Sequence, residues 1–76
     1  MNGRGVFMKK SYAILEIFDD LLNEKEITIQ DIQEKYDCSR RTALRYIRDI
    51  KDFLSVNHKE LRLYYDKMKK TFLILR

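Results

Sequence analysis

The chain has no proline, and its only glycines, Gly3 and Gly5, stand near the start. There is therefore no repeat, no linker and no low-complexity stretch to divide it, and its turns must be built from other residue types. It has one cysteine, Cys38. This excludes an intrachain disulfide and fits the reducing cytoplasm, or the nucleoid in a bacterium. Cys38 and the single His58 fall short of the four ligands of a structural zinc site, so no metal is expected. No apolar run approaches the ~20 residues needed to cross a bilayer, and the opening "MNGRGVFMKK" has no apolar segment of the secretory kind. There is no Gly-rich phosphate loop, no carboxylate pair in apolar surroundings, and no nucleophile spaced to His58, which lies beside Lys59 and Glu60. The residues thus imply no enzyme and no cofactor, and they leave His58 on the surface.

What is present is a single small domain of 76 residues, 45% hydrophobic and 37% charged, with net charge +4 and pI near 9.3. A chain this short buries only about 60–65% of its unfolded surface, so its core is thin. A modest positive charge is compatible with a polyanionic partner, but the placement of the charge matters more than its sum.

Residues 1–10 are expected to fray, and residues 11–76 to form the domain. Ser11 is placed to cap a first helix over Tyr12 to Asn23, whose apolar stripe runs through Ile14, Leu15, Phe18, Leu21 and Leu22. "NEKE" breaks it. Ile27 is placed for a brief strand or a hydrophobic staple. Thr28, with Asp31 three residues on, then makes a capping box for a short helix through Ile29, Ile32 and Tyr36. Asp37 and Cys38 make a tight connection, Asp being one of the few residues tolerant of the left-handed conformation. Ser39 caps a third helix to about Leu54. Two helices joined by about three residues form a helix-turn-helix layout. After it "LRLYYD" alternates and "TFLILR" is β-branched and aromatic, with "KMKK" between them, which reads as a β-hairpin of undefined turn type.

The stretch "YDCSRRTALRYIRDIK" is both basic and regularly apolar. At ~100° per residue, Ala43, Leu44, Ile50 and Leu54 fall within about 60° of Ile47, which sets the inward face; Lys51 also falls there, with its stem free to reach water. Arg41, Thr42, Arg45, Asp49 and Asp52 point away, with Arg48 on the flank, and Arg40 in the first turn can still reach outward. The cations gather at the helix start, where the macrodipole disfavours them, so they gain nothing for stability. No acid lies between Arg40 and Arg48, whereas Glu16, Asp19 and Asp20 cluster on the first helix. The N-terminal part of the second motif helix reaches base edges in the major groove, and the arginine fork matches guanine O6 and N7. The arginines of this helix start suit base edges, and Ser39, Thr42 and the helix N-terminal amides suit phosphate oxygens. Thr28, Ser39 and Arg48, with Lys67, Lys69 and Lys70 of the hairpin, are the candidate phosphate ligands.

On these residues the sequence resembles the winged helix-turn-helix transcription factors, nearest the DeoR-like and Mga-like group, whose recognition helix often reads Ser-Arg-Arg-Thr; here it is "CSRRTALRYIRDIKDFL", Cys38 to Leu54. The resemblance runs from about Ile14 to Leu75. It implies an α+β, mainly α, fold: a three-helix winged helix-turn-helix with a C-terminal β-hairpin wing. It also implies a recognition helix at 40–54, a wing at 66–71 on the phosphate backbone, and a role in transcription regulation. By the same resemblance Arg40, Arg41, Thr42 and Arg45 face DNA, while Cys38 and Ala43 are small buried residues locking the motif helices. Tyr46 stands where DeoR-like chains have Asp, Gln33 where Ala is common and Asp37 where Gly is common. Such domains are normally fused to an effector or oligomerisation domain. In 76 residues regulation would fall to a protein partner or a homodimer formed through the first helix and exposed aromatics.

The implied partner is double-stranded DNA, with no membrane. A competing reading is a winged-helix protein–protein interaction module that does not read DNA, docking through its Leu/Tyr/Phe-rich hairpin. A third is RNA stacking on Tyr64, Tyr65 and Phe72, which lack an RNP-type pattern.

Overall fold

The computed structural model describes residues 10–76. The elements are α1 (Lys10–Leu22), α2 (Ile29–Tyr36), α3 (Arg40–Asn57), β1 (Arg62–Asp66) and β2 (Thr71–Leu75). This is the α+β, mainly α, order that the sequence implies: three helices and then an antiparallel hairpin. The expected frayed segment, residues 1–10, lies outside the described residues apart from Lys10, which opens α1.

Two expectations for α1 are corrected. Ser11 lies inside the helix, so it is not the cap. The buried face is also rotated: Ala13, Ile17 and Leu21 are buried at four-residue steps, Ile14, Phe18 and Leu22 are partly buried, and Leu15 is 61% exposed. Ala13 and Ile17, both absent from the expected stripe, set the inward line together with Leu21. The helix ends in a Schellman motif without glycine. Glu24 takes the left-handed conformation (φ 64°), its amide donates to Leu21 O at 3.1 Å, and the Lys25 amide donates to Asp20 O at 3.1 Å. The Arg76 guanidinium donates to the free carbonyl of Leu22 at 2.7 Å.

Ile27 then forms a single β-bridge with Phe72, its amide donating to Phe72 O at 3.0 Å and its carbonyl accepting at 2.7 Å. This stitch holds the start of α2 beside the hairpin. The capping box forms as expected: Thr28 Oγ1 accepts from the Asp31 amide at 2.9 Å, and Asp31 Oδ2 accepts from the Thr28 amide at 3.1 Å. Asp37 ends α2 in the left-handed region (φ 49°, ψ 55°), in the role expected of it. Ser39 caps α3, its Oγ accepting from the Thr42 amide at 3.1 Å.

The third helix runs one turn past Leu54, to Asn57. Its buried residues are Ala43, Tyr46, Ile47, Ile50 and Leu54. Leu44, expected inside, is 42% exposed, and Tyr46 takes the core position at 6%. The inward direction is therefore rotated by roughly 45° from Ile47 towards Ile50, which brings Tyr46 in and turns Leu44 out. The Tyr46 ring packs edge-on to Tyr36 of α2, centroids 6.5 Å apart. The two rings thus clamp the two motif helices.

The hairpin pairs Arg62 with Leu75 through to Asp66 with Thr71, and Ile74 is its buried residue. The turn is a four-residue loop without glycine. The Lys70 amide donates to Asp66 O at 2.6 Å, Lys70 is left-handed (φ 58°), and Asp66 Oδ1 accepts from the amides of Met68 and Lys69 at 2.9 and 3.2 Å. An Asp side chain standing in for a backbone acceptor is the standard means of ordering such a turn. His58, expected on the surface, is half-buried against the rings of Phe18 and Phe53, at 6.2 and 5.6 Å.

Candidate nucleic-acid interface

The first half of α3 places Arg41, Leu44, Arg45 and Arg48 around a shallow hollow of about 300 Å³. Beside it a second hollow, of about 310 Å³, is lined by Ile29, Gln30, Arg40, Tyr65 and Lys70. Arg40 thus stands apart from the other three arginines, facing the start of α2 and the wing. All four arginines are exposed. Among the described residues no carboxylate forms an ion pair with any of them.

Two acids of α1, Glu16 and Asp20, are engaged by α2 and the loop before it. Lys35 Nζ lies 3.7 Å from Glu16 and 3.9 Å from Asp20, Lys25 pairs with Asp20 at 3.3 Å, and the Tyr36 hydroxyl donates to Glu16 Oε1 at 2.8 Å. Burial, then that bond to Glu16, raises the Tyr36 phenol well above its ordinary range.

The candidate hydroxyls are part of the caps. Ser39 Oγ lies 3.1 Å from Thr42 Oγ1, and Thr42 is half-buried rather than fully outward. Thr28 Oγ1 accepts from Asp31, which leaves its proton free to donate but sets a carboxylate beside it. Cys38 is half-buried, its thiol 3.8 Å from Ile32 O. Burial first and the Asp37 charge second raise its pKa, so little thiolate forms near neutrality and the side chain is a packing group.

On the wing Lys67, Lys69 and Lys70 are exposed. Lys69 is held by Glu26, Nζ to Oε2 3.6 Å, and Glu26 Oε1 also accepts from Thr71 Oγ1 at 3.1 Å. Sequence reasoning missed Glu26, because nothing local marks partners more than forty residues away. Gln30 and Leu44, which line the two hollows, were not among the sequence candidates. An exposed pair such as Lys69–Glu26 contributes little to stability, but it opposes any phosphate that approaches the wing. Glu26→Gln is therefore expected to tighten binding to random duplex about two- to fivefold at low salt, with no loss of fold. Fluorescence anisotropy checks this, and unchanged affinity would mean that the pair does not compete with phosphate.

The HTH domain family model matches residues 10–64, α1 through most of β1. The chain belongs to the HTH domain family, a family of helix-turn-helix DNA-binding domains. No curated protein and no solved structure matches the chain. In this HTH domain the motif proper is α2, the Asp37–Ser39 turn and α3, and β2, which completes the winged helix, lies beyond the matched stretch. The family is DNA-binding rather than enzymatic. Among the described residues no helix is long and apolar enough to cross a membrane.

Proposed function

We propose that this HTH domain is a sequence-specific double-stranded DNA-binding protein acting as a small transcriptional regulator of the DeoR-like or Mga-like type. The recognition helix, residues 40–54, enters the major groove, with Arg40, Arg41, Thr42 and Arg45 towards base edges. The wing, residues 66–71, rests on the phosphate backbone through Lys67, Lys69 and Lys70. Thr28, Ser39 and Arg48 take phosphates beside the groove. The observation that carries this reading is the cluster of exposed arginines at the start of α3, unpaired with acids and set against the helix dipole. Arg41 and Arg45 are the strongest base readers. Thr42 is the weakest, since its hydroxyl is engaged with Ser39. A homodimer would set two recognition helices about 34–36 Å apart on a palindromic site.

Selection of bound duplexes from a random pool tests this. The expected result is one enriched half-site, single or repeated, bound with steep salt dependence. Retention of DNA with no enriched sequence would reduce the function to non-specific binding.

One observation favours a second role, protein docking. Ile14, Leu15, Phe18, Asp49, Ile50 and Phe53 line an apolar hollow of about 290 Å³ between α1 and α3, and Tyr12 and Val56 are also exposed, at 55% and 71%. These residues are not the arginines, so such a surface is compatible with DNA binding and suits a second copy or a larger partner.

A further inference from the structure

Arg41, Leu44, Arg45 and Arg48 occupy the i, i+3, i+4 and i+7 positions of one helix face and line one hollow. Three are cationic. The fourth is a leucine, 42% exposed, turned out of the core because Tyr46 fills the inward position. In the free protein Leu44 keeps apolar surface in water amid hydrated guanidinium groups, and the core gains little from it.

A duplex changes this. The floor of the major groove offers many hydrogen-bond donors and acceptors, and its one protruding apolar group is the C5-methyl of thymine. Arginine forks satisfy the acceptors. A leucine between them satisfies none, and it would desolvate a donor or acceptor at cost wherever it met one. It fits the methyl alone. Resting on the reading that α3 lies in the major groove, we infer that Leu44 is a specificity-determining residue that packs its side chain against the 5-methyl of a thymine. Arg41 and Arg45 stand about 6 Å apart along the helix axis, and a base step is about 3.4 Å. The thymine therefore lies within one or two steps of the guanines those arginines read.

The test uses the duplex enriched by selection and replaces each thymine in turn by deoxyuridine, which removes the methyl and nothing else. At one thymine, near a guanine, wild-type binding is expected to weaken about fourfold, the ratio that corresponds to burying one methyl group. Leu44→Ala is expected to bind the thymine and uracil duplexes equally at that position. Circular dichroism establishes that the variant is folded, as its half-exposed site implies. An enriched site without thymine, or a uracil penalty that is absent or is as large in Leu44→Ala, overturns the assignment and leaves sequence-specific binding standing. If no sequence is enriched, the reading of base edges fails first and takes this inference with it.

Discussion

Ile50→Ala is expected to lower the melting temperature by roughly 10–30 °C. Ile50 is 1% exposed, near the middle of α3, and it sits at the centre of the rotated inward face between Tyr46 and Leu54. Truncating a buried isoleucine to alanine costs about 2–5 kcal/mol, because the removed atoms lose their burial and leave a cavity. A 76-residue domain has only about 4–11 kcal/mol in total, from ~0.05–0.15 kcal/mol per residue. One residue thus carries a large share of the stability. DNA affinity should fall with it wherever the unfolded fraction becomes appreciable, since only the folded chain presents α3. Thermal unfolding by circular dichroism checks this, with Leu44→Ala as the contrast, expected within about 5 °C of wild type. A similar shift for both would mean that the inward face of α3 is centred elsewhere.

Much of this fold was legible because its signals are local. The Thr28–Asp31 capping box, the left-handed Asp37 and the Ser39 cap each depend on residues within three or four positions, and all three form. Helix faces were read less well. Ile47 is a buried residue but not the centre, and the error exchanged Leu44 for Tyr46. Tyr46, assigned to neither face, presents a large ring inward, and the ring of Tyr36 meets it. On α1 the inward face was likewise centred wrongly, which left out both Ala13 and Ile17. The brief strand at Ile27 was legible and forms, but its partner was not: the Ile27–Phe72 bridge, like the hold of Glu26 on Lys69 and Thr71, joins segments more than forty residues apart. The hairpin turn was unreadable for another reason: Asp66 and a left-handed Lys70 do what Asn-Gly ordinarily does.

Of the candidate base readers, Arg40 faces the wing side and Thr42 is tied to the cap, so the account rests chiefly on Arg41 and Arg45. Arg45 lies about 155° from the centre of the buried face, among the most outward positions on the helix. It is exposed and has no carboxylate partner among the described residues. Its removal should therefore cost no structure. At a cognate guanine it should cost the bidentate contact, about 1–3 kcal/mol, or roughly 5- to 150-fold in affinity. On random duplex the same change removes one cation of many and should cost about twofold at moderate salt. Base preference should relax at one position only, because the other side chains keep their contacts.

The decisive measurement is thus the ratio of affinities for the selected duplex and a scrambled one, determined for wild type and Arg45→Ala at the same salt concentration. That ratio is expected to fall by roughly 2.5- to 75-fold in the variant, the specific loss divided by the twofold loss on random duplex. An unchanged ratio, with both duplexes losing affinity equally, would contradict it and leave Arg45 as a phosphate contact.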